Sequence, residues 1–119
     1  MFDSNRRKYP RAFYPCILTI WHDDGVNATT MAETSNIGVG GLAVNVSHEI
    51  MTMAKVGMQI NFEIPSTAFR CRGVVLRCIK QKEALYHIAI QFDPMDEVKY
   101  AFLESKVAEL IELEKKEKA

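Results

Sequence analysis

From Met58 to Ile64 apolar and polar residues alternate without a break, with Met58, Ile60, Phe62 and Ile64 set against Gln59, Asn61 and Glu63. A side-chain period of two puts each set on its own face of a strand, so this segment has one buried face and one wet one. Tyr86, Ile88, Ile90 and Phe92 repeat the pattern, and Leu42, Val44 and Val46 repeat it more briefly after a glycine-rich turn. Ala12 to His22 carries apolar groups on both faces, Ile17, Thr19 and Trp21 opposite Cys16, Leu18 and Ile20, which predicts a strand covered on both sides. Residues 28–35 predict a polar strand, reached through the tight-turn signal Asp23-Asp24-Gly25. Between Phe69 and Lys80 the apolar parity changes from Phe69/Cys71 to Val74/Leu76/Cys78, and a bulge near Gly73 is expected to make the switch.

After Asp93-Pro94 the period changes. Tyr100, Leu103, Val107, Leu110, Ile111 and Glu114 follow the i, i+3, i+4 spacing of a helix with an apolar stripe, and that stripe needs a partner: the barrel's open end or another subunit. The fold class predicted is mainly β, a six-stranded antiparallel barrel with a C-terminal amphipathic helix at about 95–117. At 119 residues, without internal repeats or a dividing linker, the chain predicts one domain at 12–119 preceded by a loosely held basic arm at 1–11.

Fifteen basic and fifteen acidic residues cancel, so the chain as a whole is no polyanion binder. The basic charge is local: Arg6, Arg7, Lys8 and Arg11 stand near Asp3 alone, which suits a small phosphorylated ligand better than a long nucleic acid. Interleaved surface aromatics of the kind that stack single-stranded bases are missing, so nucleic acid is not the expected partner. Cys16, Cys71 and Cys78 form no C-x-x-C pair and lie in apolar stretches, which predicts reduced thiols in the core of a cytoplasmic protein. No apolar run approaches a membrane span and no secretory leader is apparent. His22, His48 and His87 lack metal-ligand spacing. Ser47-His48-Glu49 has hydrolase residue types, but neighbours on an extended chain do not converge on one reacting atom. No catalytic residue, metal ligand or cofactor is expected.

Two short stretches remain. Arg7-Lys8-Tyr9-Pro10-Arg11 gathers cations on a segment that Pro10 keeps out of a helix interior. Asn36-Ile37-Gly38-Val39-Gly40-Gly41 turns at its glycines and exposes backbone N–H groups to an anion. In this order and separation, followed by a barrel pattern, they resemble the R-x-x-x-R and [D/N]-x-S-x-x-G motifs of the PilZ domain, with Gly38 standing where that family has Ser. The resemblance covers nearly the whole chain and implies the same barrel-plus-helix fold. It implies a bacterial receptor for the second messenger cyclic di-GMP, whose two phosphates and two guanine edges call for guanidinium groups and an acceptor. Arg7 and Arg11 would contact phosphate and guanine. Asn36 would present its side-chain oxygen to a base edge, and Gly41 would be the position where a side chain obstructs the ligand. Gly38 forgoes a hydroxyl contact worth about 0.5–1.5 kcal/mol, so weakened rather than lost binding is expected. Arg6 precedes the first motif arginine, where the resemblance implies an influence on ligand stoichiometry, and its added charge favours an intercalated nucleotide dimer.

The resemblance further implies an order–disorder switch: the arginine arm wraps over the nucleotide and changes the surface read by a separate, unidentified protein, with motility, attachment, biofilm, exopolysaccharide or virulence as the output. The alternative is a PilZ-like adaptor that binds no nucleotide and works through protein contacts alone.

Overall fold

Six antiparallel strands close into a barrel in the order β1-β2-β3-β6-β5-β4, and β4 returns to pair with β1. The fold is that of a computed structural model describing residues 10–22, 29–63 and 66–118. The strands are β1 (Ile17–His22), β2 (Thr29–Ile37), β3 (Gly41–Val46), β4 (Lys55–Glu63), β5 (Ser66–Lys82) and β6 (Leu85–Phe92), followed by the helix α1 (Glu97–Lys118). The alternating segments form strands because one set of their side chains fills the interior. Leu18 and Ile20, Leu42 and Val44, Val56 to Phe62 at every second position, and Ile88 and Ile90 are all buried in one apolar cluster. Closure leaves the six strands no free edge, which removes the usual route to edge-to-edge association.

Three local expectations change. The first strand starts at Ile17 rather than Ala12, since Pro15 has no N–H to give a ladder. Ala12 instead forms an isolated antiparallel bridge with Ile37. In β5 the buried side passes unbroken through Phe69, Cys71, Gly73 and Val75, so the bulge does not lie at Gly73. Register shifts between Val75 and Arg77 and again between Lys80 and Lys82, leaving Leu76 50% exposed where the alternation predicts burial. Gly73 marks a close approach instead: a Cβ there would stand 2.5 Å from the carbonyl oxygen of Gln91. The Asp23-Asp24-Gly25 turn, Ile64 and Pro65 lie outside the described residues, although Trp21 pairs with Thr29 across the first of these connections.

Helix α1 opens on an N-cap, the Asp96 Oδ1 accepting from the Lys99 N–H at 2.8 Å. Its stripe of Leu103, Val107 and Leu110 is buried in the same core as the strands, so the barrel itself supplies the stripe's partner. The Phe102 ring stacks on Phe69 at 5.6 Å and meets Phe62 edge-on at 6.3 Å. Lys106 interrupts the stripe yet is only 4% exposed. Its ammonium is held by Glu109 at 3.2 Å and lies over the rings of Phe62 and Phe102. Among the described residues no helix is long and apolar enough to cross a membrane.

Candidate functional site

The two motifs are brought together by the Ala12–Ile37 bridge. Each residue donates its N–H to the other's carbonyl at 2.8 Å, so the segment ending the first motif runs antiparallel to the start of the second. Arg11 therefore lies beside Asn36 and Gly38, and its Nη1 donates a hydrogen bond to the Asn36 Oδ1. Both side chains are half-buried. Asn36 owes its outward direction to a bulge. Thr34 pairs with Val44 and Asn36 with Ala43, so Ser35 is the extra residue.

Two of the three glycines of the turn have a steric reason. Gly38 donates its N–H to the Gly41 carbonyl at 2.9 Å. A Cβ on Gly38 would meet the Pro10 carbonyl oxygen at 3.2 Å and the Arg11 Cγ at 3.3 Å, so the missing side chain lets Pro10 and Arg11 lie down on the turn. A Cβ on Gly41 would come within 2.2 Å of the Ile90 carbonyl oxygen. Barrel closure against β6 thus demands glycine at 41 on its own account. Gly40, whose carbonyl accepts from the Phe92 N–H at 2.9 Å, has nothing within 4 Å of a built Cβ. Arg6 and Arg7 lie outside the described residues, whereas Arg11, Asn36, Gly38 and Gly41 all lie within them.

One contributor is not legible in the sequence as part of the site. Glu114 of α1 accepts from the backbone N–H groups of Phe13 and Tyr14, the latter at 3.1 Å. It anchors the chain just after Arg11 and Ala12. Its signal in the sequence is a carboxylate standing in an otherwise apolar helical stripe.

A cavity of about 310 Å³ lies elsewhere, between α1 and residues 14–17, with Lys106, Glu63, Glu109 and Glu117 in its wall. The carboxylates dominate there: Glu117 and, less strongly, burial and Glu63 raise the pKa of the Tyr14 hydroxyl. Such a cavity repels an anionic ligand. Burial also raises the thiol pKa of Cys16, and that of Cys71 to about 12, which keeps both protonated and unreactive. Cys16, Cys71 and Cys78 are all free thiols. Among the described residues no cluster of His, Cys, Asp and Glu is arranged to hold a metal ion. What the Arg11–Asn36 face offers is a guanidinium fork, a side-chain amide and a close-packed glycine turn, the elements of a recognition surface for an anionic planar ligand.

The PilZ domain family model matches residues 5–111. No curated protein matches the chain. Among solved structures, the PilZ domain of YcgR from Escherichia coli with c-di-GMP superposes with a TM-score of 0.75 at 17% identity, over 95% of this chain and 96% of that one. The longer YcgR in complex with c-di-GMP gives 0.75 at 18% identity, over 95% of this chain and 49% of that one. The inhibitor of motility MotI/DgrA from Bacillus subtilis gives 0.71 at 16% identity, over 87% of this chain and 50% of that one. The chain thus spans half the length of MotI/DgrA and of the longer YcgR, and at these identities the likeness is one of fold.

Proposed function

The chain belongs to the PilZ domain family, and on that premise we propose that it is a cyclic di-GMP receptor that passes the signal to a separate protein in motility, attachment or exopolysaccharide control. The observation that carries the reading is the Ala12–Ile37 bridge, which unites Arg11 and Asn36 from motifs 25 residues apart. Arg11 offers a fork to a phosphate or to guanine O6 and N7, and Asn36 offers an acceptor to a base edge. Arg7 and Arg6 add charge from the preceding arm, Arg6 towards an intercalated dimer of the ligand. Gly38 withholds the hydroxyl that the family's Ser supplies, which lowers affinity about three- to tenfold. The role needs no bond made or broken in the ligand: binding favours one arrangement of the arm, and the partner reads it.

Calorimetric titration with cyclic di-GMP tests this. The expected result is micromolar or tighter binding, lost in Arg7→Ala and in Arg11→Ala, with two nucleotides per protomer if Arg6 acts as proposed. Absence of heat from a folded wild-type protein overturns the receptor reading. It would select the adaptor that binds no nucleotide, a reading in which the Arg11–Asn36 hydrogen bond serves only to hold the two segments together.

A further inference from the structure

We infer that Arg77 is a ligand-contacting residue that completes the same site from its far side, an inference that rests on the receptor reading. Cross-strand register carries it. Asn36 on β2 pairs with Ala43 on β3, Ala43 with Ala89 on β6, and Ala89 with Arg77 on β5. The four residues form one row across four adjacent strands. The row lies on the barrel's outer surface, because Leu42 and Val44 on either side of Ala43, and Ile88 and Ile90 on either side of Ala89, are the residues that enter the core. Asn36 and Arg77 thus stand at the two ends of a row whose middle positions are alanines, Ala43 only 5% exposed and Ala89 half-buried. Three interstrand steps separate them, about 14 Å between backbones.

Each end of the row is turned outward by a β-bulge. With an unshifted register, Ser35 would pair with Ala43, and Asn36 would fall opposite Leu42 and point inward. With an unshifted register, Leu76 would pair with Ala89, and Arg77 would fall opposite Ile88 and point inward. Bulges re-aim side chains and are enriched beside binding sites. Both of these carry a visible penalty. The Ser35 hydroxyl is buried with no hydrogen-bond partner among the described residues, and Leu76 is 50% exposed. The two re-aimed polar groups stand in the same outward row. Arg77 is exposed, and among the described residues it makes no hydrogen bond or ion pair, so its guanidinium is available.

The ligand's symmetry gives Arg77 its role. A cyclic dinucleotide presents two equivalent halves, each with a phosphate and a guanine. Arg11 and Asn36 serve one half. The other half, extending along the row past Ala43 and the half-buried Ala89, meets Arg77, with the exposed Gln91 amide in the neighbouring row beside Gly41. An arginine fits better than a lysine because its fork matches both phosphate and the Hoogsteen edge of guanine.

Titration with cyclic di-GMP of the wild type, Arg77→Ala, Arg77→Lys, Arg11→Ala and Lys82→Ala tests the inference. Lys82 lies on β5 beyond the row and controls for the loss of one positive charge. The expected result is an affinity loss of about tenfold or more for Arg77→Ala, partial recovery in Arg77→Lys and a change within about twofold for Lys82→Ala. If the wild type binds, Arg11→Ala fails to bind and Arg77→Ala matches the wild type, the Arg77 contact is overturned and the receptor reading stands. If the folded wild type does not bind, both fall together.

Discussion

Residue 38 does two separable things in this fold, and substitution can separate them. In the proposed receptor, glycine there withholds a hydroxyl from cyclic di-GMP; in the structure it leaves room for Pro10 and Arg11, whose carbonyl oxygen and Cγ would stand 3.2 and 3.3 Å from an added Cβ. Gly38→Ala introduces the Cβ alone and Gly38→Ser introduces both Cβ and hydroxyl. The Cβ forces Arg11 to give by a few tenths of an ångström, which disturbs its hydrogen bond to Asn36. Gly38→Ala is therefore expected to bind cyclic di-GMP more weakly than the wild type. Gly38→Ser should bind about three- to tenfold more tightly than Gly38→Ala, the hydroxyl restoring one hydrogen bond. Equal affinities for the two variants in calorimetry would leave the spacing of Arg11 as the whole effect of residue 38. The same contacts explain why the sequence alone cannot weigh the change: the motif identifies a lost hydroxyl, but only the bridge at Ala12 reveals what the empty space holds.

Helix α1 reaches the site through the Glu114 carboxylate. Glu114 accepts from the N–H groups of Phe13 and Tyr14, two and three residues beyond Arg11, and so links the last turns of the helix to the segment carrying the Arg11 guanidinium. Glu114→Ala should lower unfolding free energy by about 1–2 kcal/mol, since two backbone donors lose a charged acceptor in a partly exposed setting. Glu114→Gln keeps an acceptor and should recover part of the loss; urea unfolding of the three proteins measures both. Cyclic di-GMP affinity should fall in the same order if the anchored segment presents Arg11. The elements themselves are largely legible in the sequence. β4 and β6 bury one face only, so their alternation is clean, and α1 announces itself when the period changes after Pro94. Bulges are not legible. Gly73 attracts the assignment because glycine is common at bulges, while the register shifts at Leu76 among side chains that give no local sign of it. Arg77 escapes a sequence reading for that reason, since its direction depends on the shift. Lys106 departs from the apolar stripe because the rings of Phe62 and Phe102 and the carboxylate of Glu109 make a buried ammonium tolerable.

At the scale of the whole molecule, barrel closure couples folding to the ionisation of its thiols. Cys16 and Cys71 point into the one core that all six strands and α1 share, and burial is the first cause of the raised pKa of each. Cys71 moves from 9.0 to about 12. The sign follows from proton binding. A group whose folded pKa lies above its unfolded value stabilises the fold fully below the unfolded pKa, and that contribution disappears as pH climbs towards the folded one. Cys71 therefore makes no difference to the pH dependence near neutrality, and its contribution fades through the window from 9.0 to about 12. Within that window each such thiol steepens the loss by at most about 1.4 kcal/mol per pH unit, because the unfolded chain releases a proton that the folded one retains. Cys71→Ala removes the group and leaves a small cavity, so the variant should be less stable at neutral pH while losing less on going alkaline. Urea unfolding of both proteins between about pH 7 and pH 11 should show the two stabilities converging, because only the wild type carries the Cys71 proton that unfolding releases. Parallel curves would mean that the folded Cys71 thiol ionises as readily as the unfolded one, and that water reaches the inner face of β5.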